Sequence, residues 1–243
     1  MTFHKEPAIK IVKVAAAAIA ALVVGQAAAA DTDVYAGFSS ASRSKFAYLG
    51  GIKAMNGDLE KNGLLLRAMI FSGRYDYDTV GVASGKVDAK LVGAELAVGY
   101  QWLNPGSRFS LYGGIDHPDH DLSPDDPGNK VKGSKTGAMV QAELETRGSP
   151  FYGSLIAKYS SAWGSYWVRG RAGYTFGSVV VGPEAVGLGS ESFKEDRYGL
   201  FLAVPVSKAT SLSLAAGHRK STGNNARTDQ TGSYVDVGFD VKF

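Results

Sequence analysis

The sequence predicts an all-β protein: an antiparallel transmembrane outer-membrane β-barrel of about twelve strands, preceded by a cleavable signal peptide. Three observations carry this expectation. Segments of about ten residues alternate polar and apolar side chains, their number is even, and after residue 30 no apolar run is long enough to cross a bilayer as a helix.

Residues 1–30 read as the signal. Lys5, Lys10 and Lys13 form a basic start, Val14 to Val24 is an apolar core, and small residues through Ala30 suit cleavage before Asp31. That core falls short of the roughly 20 apolar residues of a membrane anchor. Residues 31–243 are then one barrel domain. Losing the signal reduces the formal charge from +3 to about +1. With no basic tract, nucleic acid is not an expected partner. Cysteine is absent, which excludes disulfides and thiolate metal sites.

The last segment shows the pattern most clearly. Val235, Val237, Phe239, Val241 and Phe243 share one face, and Tyr234, Asp236, Gly238, Asp240 and Lys242 share the other. A soluble sandwich also alternates, but its strands are usually about five or six residues long. Ten residues tilted in a bilayer match the hydrocarbon thickness, and the chain ends on an aromatic residue, as such barrels commonly do.

Similar segments are expected near 33–41, 44–54, 63–74, 87–102, 107–116, 136–146, 150–160, 164–176, 178–188, 196–206, 210–219 and 232–243. An even count places both ends of the barrel domain on one side and lets the first strand pair with the last, so no edge is unpaired in lipid. It also requires alternate connections to be short. Asn104 to Ser107, Arg147 to Pro150, Gly177 with Ser178, and Ser207 to Ala209 are turn-like, whereas Tyr75 to Lys86, His117 to Lys135 and Lys220 to Thr231 are long and fall on the external side. Met55 to Gly63 is a longish inner turn that departs from this rule.

Face assignment follows from the alternation. Turning Val92, Leu96 and Val98, Val140 and Leu144, and Val168 and Tyr174 toward lipid sends Glu95, Glu143, Glu145, Trp167, Arg169 and Arg171 inward. An Arg or Lys on the lipid face at the midplane would cost about 2–4 kcal/mol. The expected lumen is polar and mixed in sign, with Lys53, Arg67, Glu95, Arg108, Glu143, Glu145, Lys158, Arg169, Arg171, Glu184, Arg197, Asp236 and Asp240. Two readings are open: a salt-bridged, packed interior, or a hydrated pore for a neutral or weakly charged solute. Tyr35, Trp102, Phe176 and Phe243 are expected in interfacial girdles. Trp163 and Trp167 lie close to an outer loop and have faces suited to sugar rings.

The stretch His117 to Lys135 stands apart. Pro118, Pro124 and Pro127 stiffen it, and Asp119, Asp121, Asp125 and Asp126 carry the hard oxygens that calcium prefers, without the spacing or closing Glu of an EF-hand. The other readings are a solvated acidic loop and one folded inward onto Arg169, Arg171 or Arg197. His117, His120 and Ser123 lie among carboxylates, but there is no Gly-x-Ser-x-Gly or His-Glu-x-x-His pattern. A lipid-modifying enzyme would have to use His120 or His218.

Several fragments occur together in order. They are Tyr35 to Ser40, Asn56 to Leu59, Gly99 to Gln101, His120 to Pro127, Tyr159 to Ser161 followed by Tyr166, Arg169 to Tyr174, and Gly182 to Glu184. The set resembles the cellulose biosynthesis protein BcsS family across nearly all of residues 31–243. The resemblance implies an outer-membrane accessory of cellulose, or exopolysaccharide, production or export, and brings no catalytic residues with it. A narrow oligosaccharide channel is the alternative. Expected surroundings are outer-membrane lipid and, through the resemblance, glucan or other components of cellulose synthesis. The residues of interest are His117, Asp119, His120, Asp121, Asp125 and Asp126 in the loop, and Trp167, Arg169, Arg171, Glu184 and Arg197 in the lumen. None is assigned to catalysis, a cofactor or a metal.

Overall fold

The computed structural model describes residues 30–223 and 229–243. The expected signal peptide lies outside them apart from Ala30. Strands β1 (Thr32–Ala41), β2 (Ser44–Ala54), β3 (Gly63–Asp78), β4 (Lys86–Asn104) and β5 (Ser107–Ser123) form an antiparallel meander. A two-residue β6 (Gly133–Ser134) precedes β7 (Gly137–Thr146), β8 (Phe151–Ser160), β9 (Ser165–Phe176) and β10 (Val179–Ser190). The chain finishes with β11 (Phe193–Pro205), β12 (Thr210–Gly223) and β13 (Gln230–Lys242).

Twelve of these strands close the wall, because β13 pairs with β1 from Tyr234–Ala41 down to Lys242–Asp33. The Asp31 amide donates to the Phe243 carbonyl at 2.8 Å, which fixes both ends of the barrel domain at one rim. Closure leaves no open backbone edge, the condition for a sheet to reside in hydrocarbon.

The outward face explains why it belongs there. Leu64, Val98, Ile115 and Leu200 are more than half exposed on positions that alternate with lumen residues. A continuous apolar surface of this kind is unstable in water and matched in lipid. Trp102, Phe109, Phe151, Tyr174, Phe176 and Phe243 gather at the rim that holds both ends, with Trp102 and Phe109 stacked at 5.5 Å.

Three expectations need correction. Tyr35 is not a girdle residue: it faces inward, its ring lying over Gly50 while Tyr48 lies over Gly37, and an added Cβ at either glycine would stand 2.3–2.4 Å from that ring. Each tyrosine fills the space its neighbour's missing side chain leaves. Lys53 is not in the lumen. It shares the outward face with Thr32, its register partner, and bonds Asp31 at the inner rim at 3.0 Å. Finally, β5 does not stop near residue 116 but stays paired with β4 as far as Ser123–Asp88.

Pro118 permits that extension because of where it sits. The β7 side of β5 is paired only up to Asp116–Gly137, and the Pro118 carbonyl points beyond that end to accept from the Lys135 amide at 3.1 Å. The missing N–H therefore falls in the break between the β7 pairing and the short β6 pairing that begins at Asp119–Ser134.

Candidate functional site: a lumen closed at both ends

Strand alternation divides the distinctive stretch between the two sides of the wall. His117, Asp119 and Asp121 face outward, whereas His120 faces inward. The His117 Nδ1 lies 2.7 Å from Thr136 Oγ1. His120 Nδ1 lies 3.0 Å from the Tyr75 hydroxyl, and its ring meets the edge of Trp163 at 5.2 Å.

The remainder of the stretch folds over the outer mouth. Asp126 and Asn129 are buried beneath it: the Tyr77 hydroxyl donates to Asp126 Oδ2 at 3.0 Å and accepts from Asn129 Nδ2 at 2.9 Å. Val131 packs with Ala162 and Trp163. Asp125 remains exposed and pairs with Lys132 at 2.8 Å.

Of the readings left open, the segment folds inward, but onto Tyr77, Ala162 and Trp163 and not onto Arg169, Arg171 or Arg197. Nor do its carboxylates converge on a cation, because alternation turns Asp119 and Asp121 away from Asp126. Among the described residues no cluster of three or more His, Asp or Glu suits a metal. His120 and His218 likewise lie on opposite faces of the wall.

Trp163 holds this cap by an unusual backbone. Its φ is +54°, followed by Gly164 at +58°. A bulky residue adopts that region at a cost of order 1–3 kcal/mol unless its surroundings compensate. Here the indole is buried against Val131, His120 and the Lys135 ammonium, 5.8 Å from the ring. It is therefore covered and not presented to a sugar. We expect Trp163→Ala to release the cap, which trypsin would report as faster cleavage after Lys130 and Lys132 while the barrel core stays resistant; unchanged cleavage would show the cap is held elsewhere.

Below the cap, charges pair along the lumen wall, mostly between neighbouring strands. Glu95, 1% exposed, receives Arg67 at 2.8 Å and Lys158 from β8 on its other oxygen. Arg67 also lies 5.7 Å over the Tyr35 ring. In the other half, Glu184 receives Arg171 at 2.5 Å and the Tyr234 hydroxyl at 3.1 Å. Arg197 bridges Glu195 at 2.7 Å, Ser39 at 2.9 Å and Asp236 at 3.4 Å, over the Tyr234 ring. Trp167 faces inward with the Arg169 guanidinium 5.3 Å above it, and the Arg169 Nε has no hydrogen-bond partner among the described residues. Apolar side chains fill the space between, with Phe201, Ala215 and Tyr234 forming one cluster.

The inner end is closed by the longish turn that departed from the short-turn rule and whose Asn56 to Leu59 belongs to the family resemblance, although none of its residues was expected to close the lumen. The turn 55–62 between β2 and β3 crosses the opening, and Leu59 inserts among Ala54, Leu65, Ala97, Tyr112 and Met139. Gln101 Nε2 donates to the Leu59 and Lys61 carbonyls at 2.9 and 2.6 Å, and the Leu103 amide donates to Asn62 Oδ1 at 2.6 Å. Glu60 reaches Arg108 on β5, Arg147 in the β7–β8 turn and Lys242 on β13. Strands β5 and β13 lie on nearly opposite walls, so this one carboxylate spans the end.

The turn is also stiff in itself. Asn56 Oδ1 accepts from the Asp58 amide and Asp58 Oδ1 from the Glu60 amide, local bonds of the kind Asn and Asp make in turns. The Glu60 amide and Lys61 hold the Asp58 carboxyl below its ordinary range. The Asn56, Asp58 and Asn62 spacing was the available cue; Glu60's partners follow only from the register.

A family model described as Cellulose biosynthesis protein BcsS matches residues 34–243. No curated protein matches the chain. Among solved structures, the KdgM porin is 12% identical with a TM-score of 0.51, over 87% of this chain and 99% of its own. The COG4313 outer membrane channel from Pseudomonas putida F1 is 12% identical with a TM-score of 0.50, over 90% of this chain and 97% of its own. At such identities the likeness is one of fold.

Proposed function

The chain belongs to the cellulose biosynthesis protein BcsS family, and from that premise we propose that it is a closed, non-enzymatic outer-membrane scaffold, on whose outer mouth glucan or a component of the cellulose machinery is held. The observation that carries this reading is closure at both ends: the cap anchored by Asp126, Asn129 and Trp163 above, the Leu59 and Glu60 turn below, and paired charges between. A conduit needs a hydrated path with sites weak enough to release the solute. Ion pairs that hold Glu95, Glu184 and Glu195 against Arg67, Lys158, Arg171 and Arg197 favour a packed wall instead.

Asp125, Lys130 and Lys132 are exposed on top of the cap, where a polymer or partner would meet them. Catalysis would need a nucleophile, base and orienting group brought together. His120 has Tyr75 and Trp163 beside it instead.

The KdgM porin, named as a porin, shares the fold and keeps a channel reading in view; for this chain, that reading requires the turn 55–62 to move. The deciding experiment removes the gene from its host and scores cellulose with a binding dye, along with where the polymer accumulates. Reduced or misplaced polymer, restored by the wild-type gene and not by one lacking residues 124–132, is expected. Cellulose made and exported normally in the deletion strain would refute the assignment.

A further inference from the structure

The outer end of β2, β3 and β4 carries two layers of charge with different fates. In the upper layer the ions neutralise one another: Arg43 binds Asp76 and Asp78 at 2.5 and 2.6 Å, and Lys86 lies 3.6 Å from both Asp76 and Asp88. In the lower layer, Lys45, Arg74 and Lys90 face outward and are exposed, and none of them makes an ion pair with another described residue.

Register aligns them. Lys45 pairs with Arg74 and Arg74 with Lys90, so the three occupy one row across adjacent strands. At about 4.8 Å per strand the row spans roughly 10 Å. Asp121 is the next residue in the row, opposite Lys90, without an ion pair between them.

The depth of the row matters as much as its charge. Along the same outward face toward the membrane, the next positions are Ala47, Ser72 and Val92, followed by Leu49, Ile70 and Ala94. The cations thus stand at the edge of the apolar band. On the opposite wall the outer half presents Tyr159, Tyr166 and Tyr198, the usual interfacial aromatics. Replacing that belt by adjacent unpaired cations is favourable where the lipid headgroup supplies anions at that level.

From this arrangement we propose that Lys45, Arg74 and Lys90 form a site for the phosphates of an outer-leaflet glycolipid of the lipid A type. The planar guanidinium of Arg74 accepts a phosphate through two parallel N–H donors, and the flanking ammonium groups add point charge on either side. Three cations along about 10 Å suit a headgroup bearing more than one phosphate better than a single free ion. The site lies on the lipid side of the wall and does not depend on what the lumen or mouth handles.

The test uses the folded barrel in zwitterionic detergent, titrated with lipid A, with lipid A stripped of its phosphates, and with phosphatidylglycerol, in the presence and absence of inorganic phosphate. Lipid A is expected to bind most tightly. Lys45→Gln, Arg74→Gln and Lys90→Gln together should weaken it by roughly tenfold or more, while Lys194→Gln and Lys208→Gln together should leave it unchanged. Heat-modifiable gel mobility checks that each variant is folded, and Arg74→Gln alone, expected to show a smaller loss, replaces the triple variant if that fails to fold. Equal binding of the stripped lipid, equal binding of phosphatidylglycerol, displacement by millimolar phosphate, or the same loss in the control variant would each overturn the proposal.

Discussion

Glu95→Ala is expected to destabilise the barrel by about 3–5 kcal/mol, the usual cost of removing one partner from a buried charge cluster. Glu95 is the sole carboxylate bonded to both Arg67 and Lys158 among the described ion pairs. Its removal leaves two cations facing each other in a site sealed above and below, where water cannot easily replace the lost acceptor. The measurement is the urea midpoint of unfolding in lipid vesicles. Adding Arg67→Met and Lys158→Met to the Ala variant should recover much of the loss, because an apolar cluster of similar volume has no charge to desolvate. If the single variant unfolds at the wild-type midpoint, water reaches the triad and the lumen is hydrated at that depth.

That triad also shows what was legible beforehand. Period-2 alternation was enough to turn Glu95, Glu143, Arg169 and Arg171 inward, because one face of each strand must be apolar to lie in lipid. Alternation could not say which charges meet. Lys158 joins Glu95 across two intervening strands, a contact set by closure and stagger.

Tyr35 was misassigned for a related reason. An aromatic near a strand end suits a girdle, and only pairing with Gly50 reveals the gap it fills. The stretch from His117 was read as a loop because three prolines and several aspartates interrupt the apolar pattern. Above the membrane, however, neither face has to be apolar, so β5 continues without the signal that marks a strand in lipid. The same blindness applies to the turn 55–62. Its Asn and Asp residues announce a turn, but Leu59 and Glu60 acquire their roles from walls formed by residues far along the chain.

The turn supports the second large effect. The wild-type barrel is expected to carry no steady ion current in a planar bilayer, and a variant in which residues 56–63 are replaced by Asn-Gly, directly between Met55 and Leu64, is expected to conduct. A two-residue turn of that type suits an antiparallel hairpin, so β2 and β3 keep their register from Ala54–Leu65 outward while Leu59, Glu60 and their contacts are lost. The milder Glu60→Ala frees Arg108, Arg147 and Lys242 at once and should produce brief openings, since partially exposed ion pairs are each worth only about 0–1 kcal/mol. Leu59→Ala should act more strongly, because its side chain is buried in one apolar cluster with Ala54, Leu65 and Tyr112 and a buried Leu→Ala change usually costs about 2–5 kcal/mol. Paired charges such as Glu184 with Arg171 would still narrow the passage, so the current expected from the replaced turn is small. Conductance equal to that variant from the wild type would mean the turn does not seal the end. No conductance from either would locate the barrier in the lumen and the outer cap.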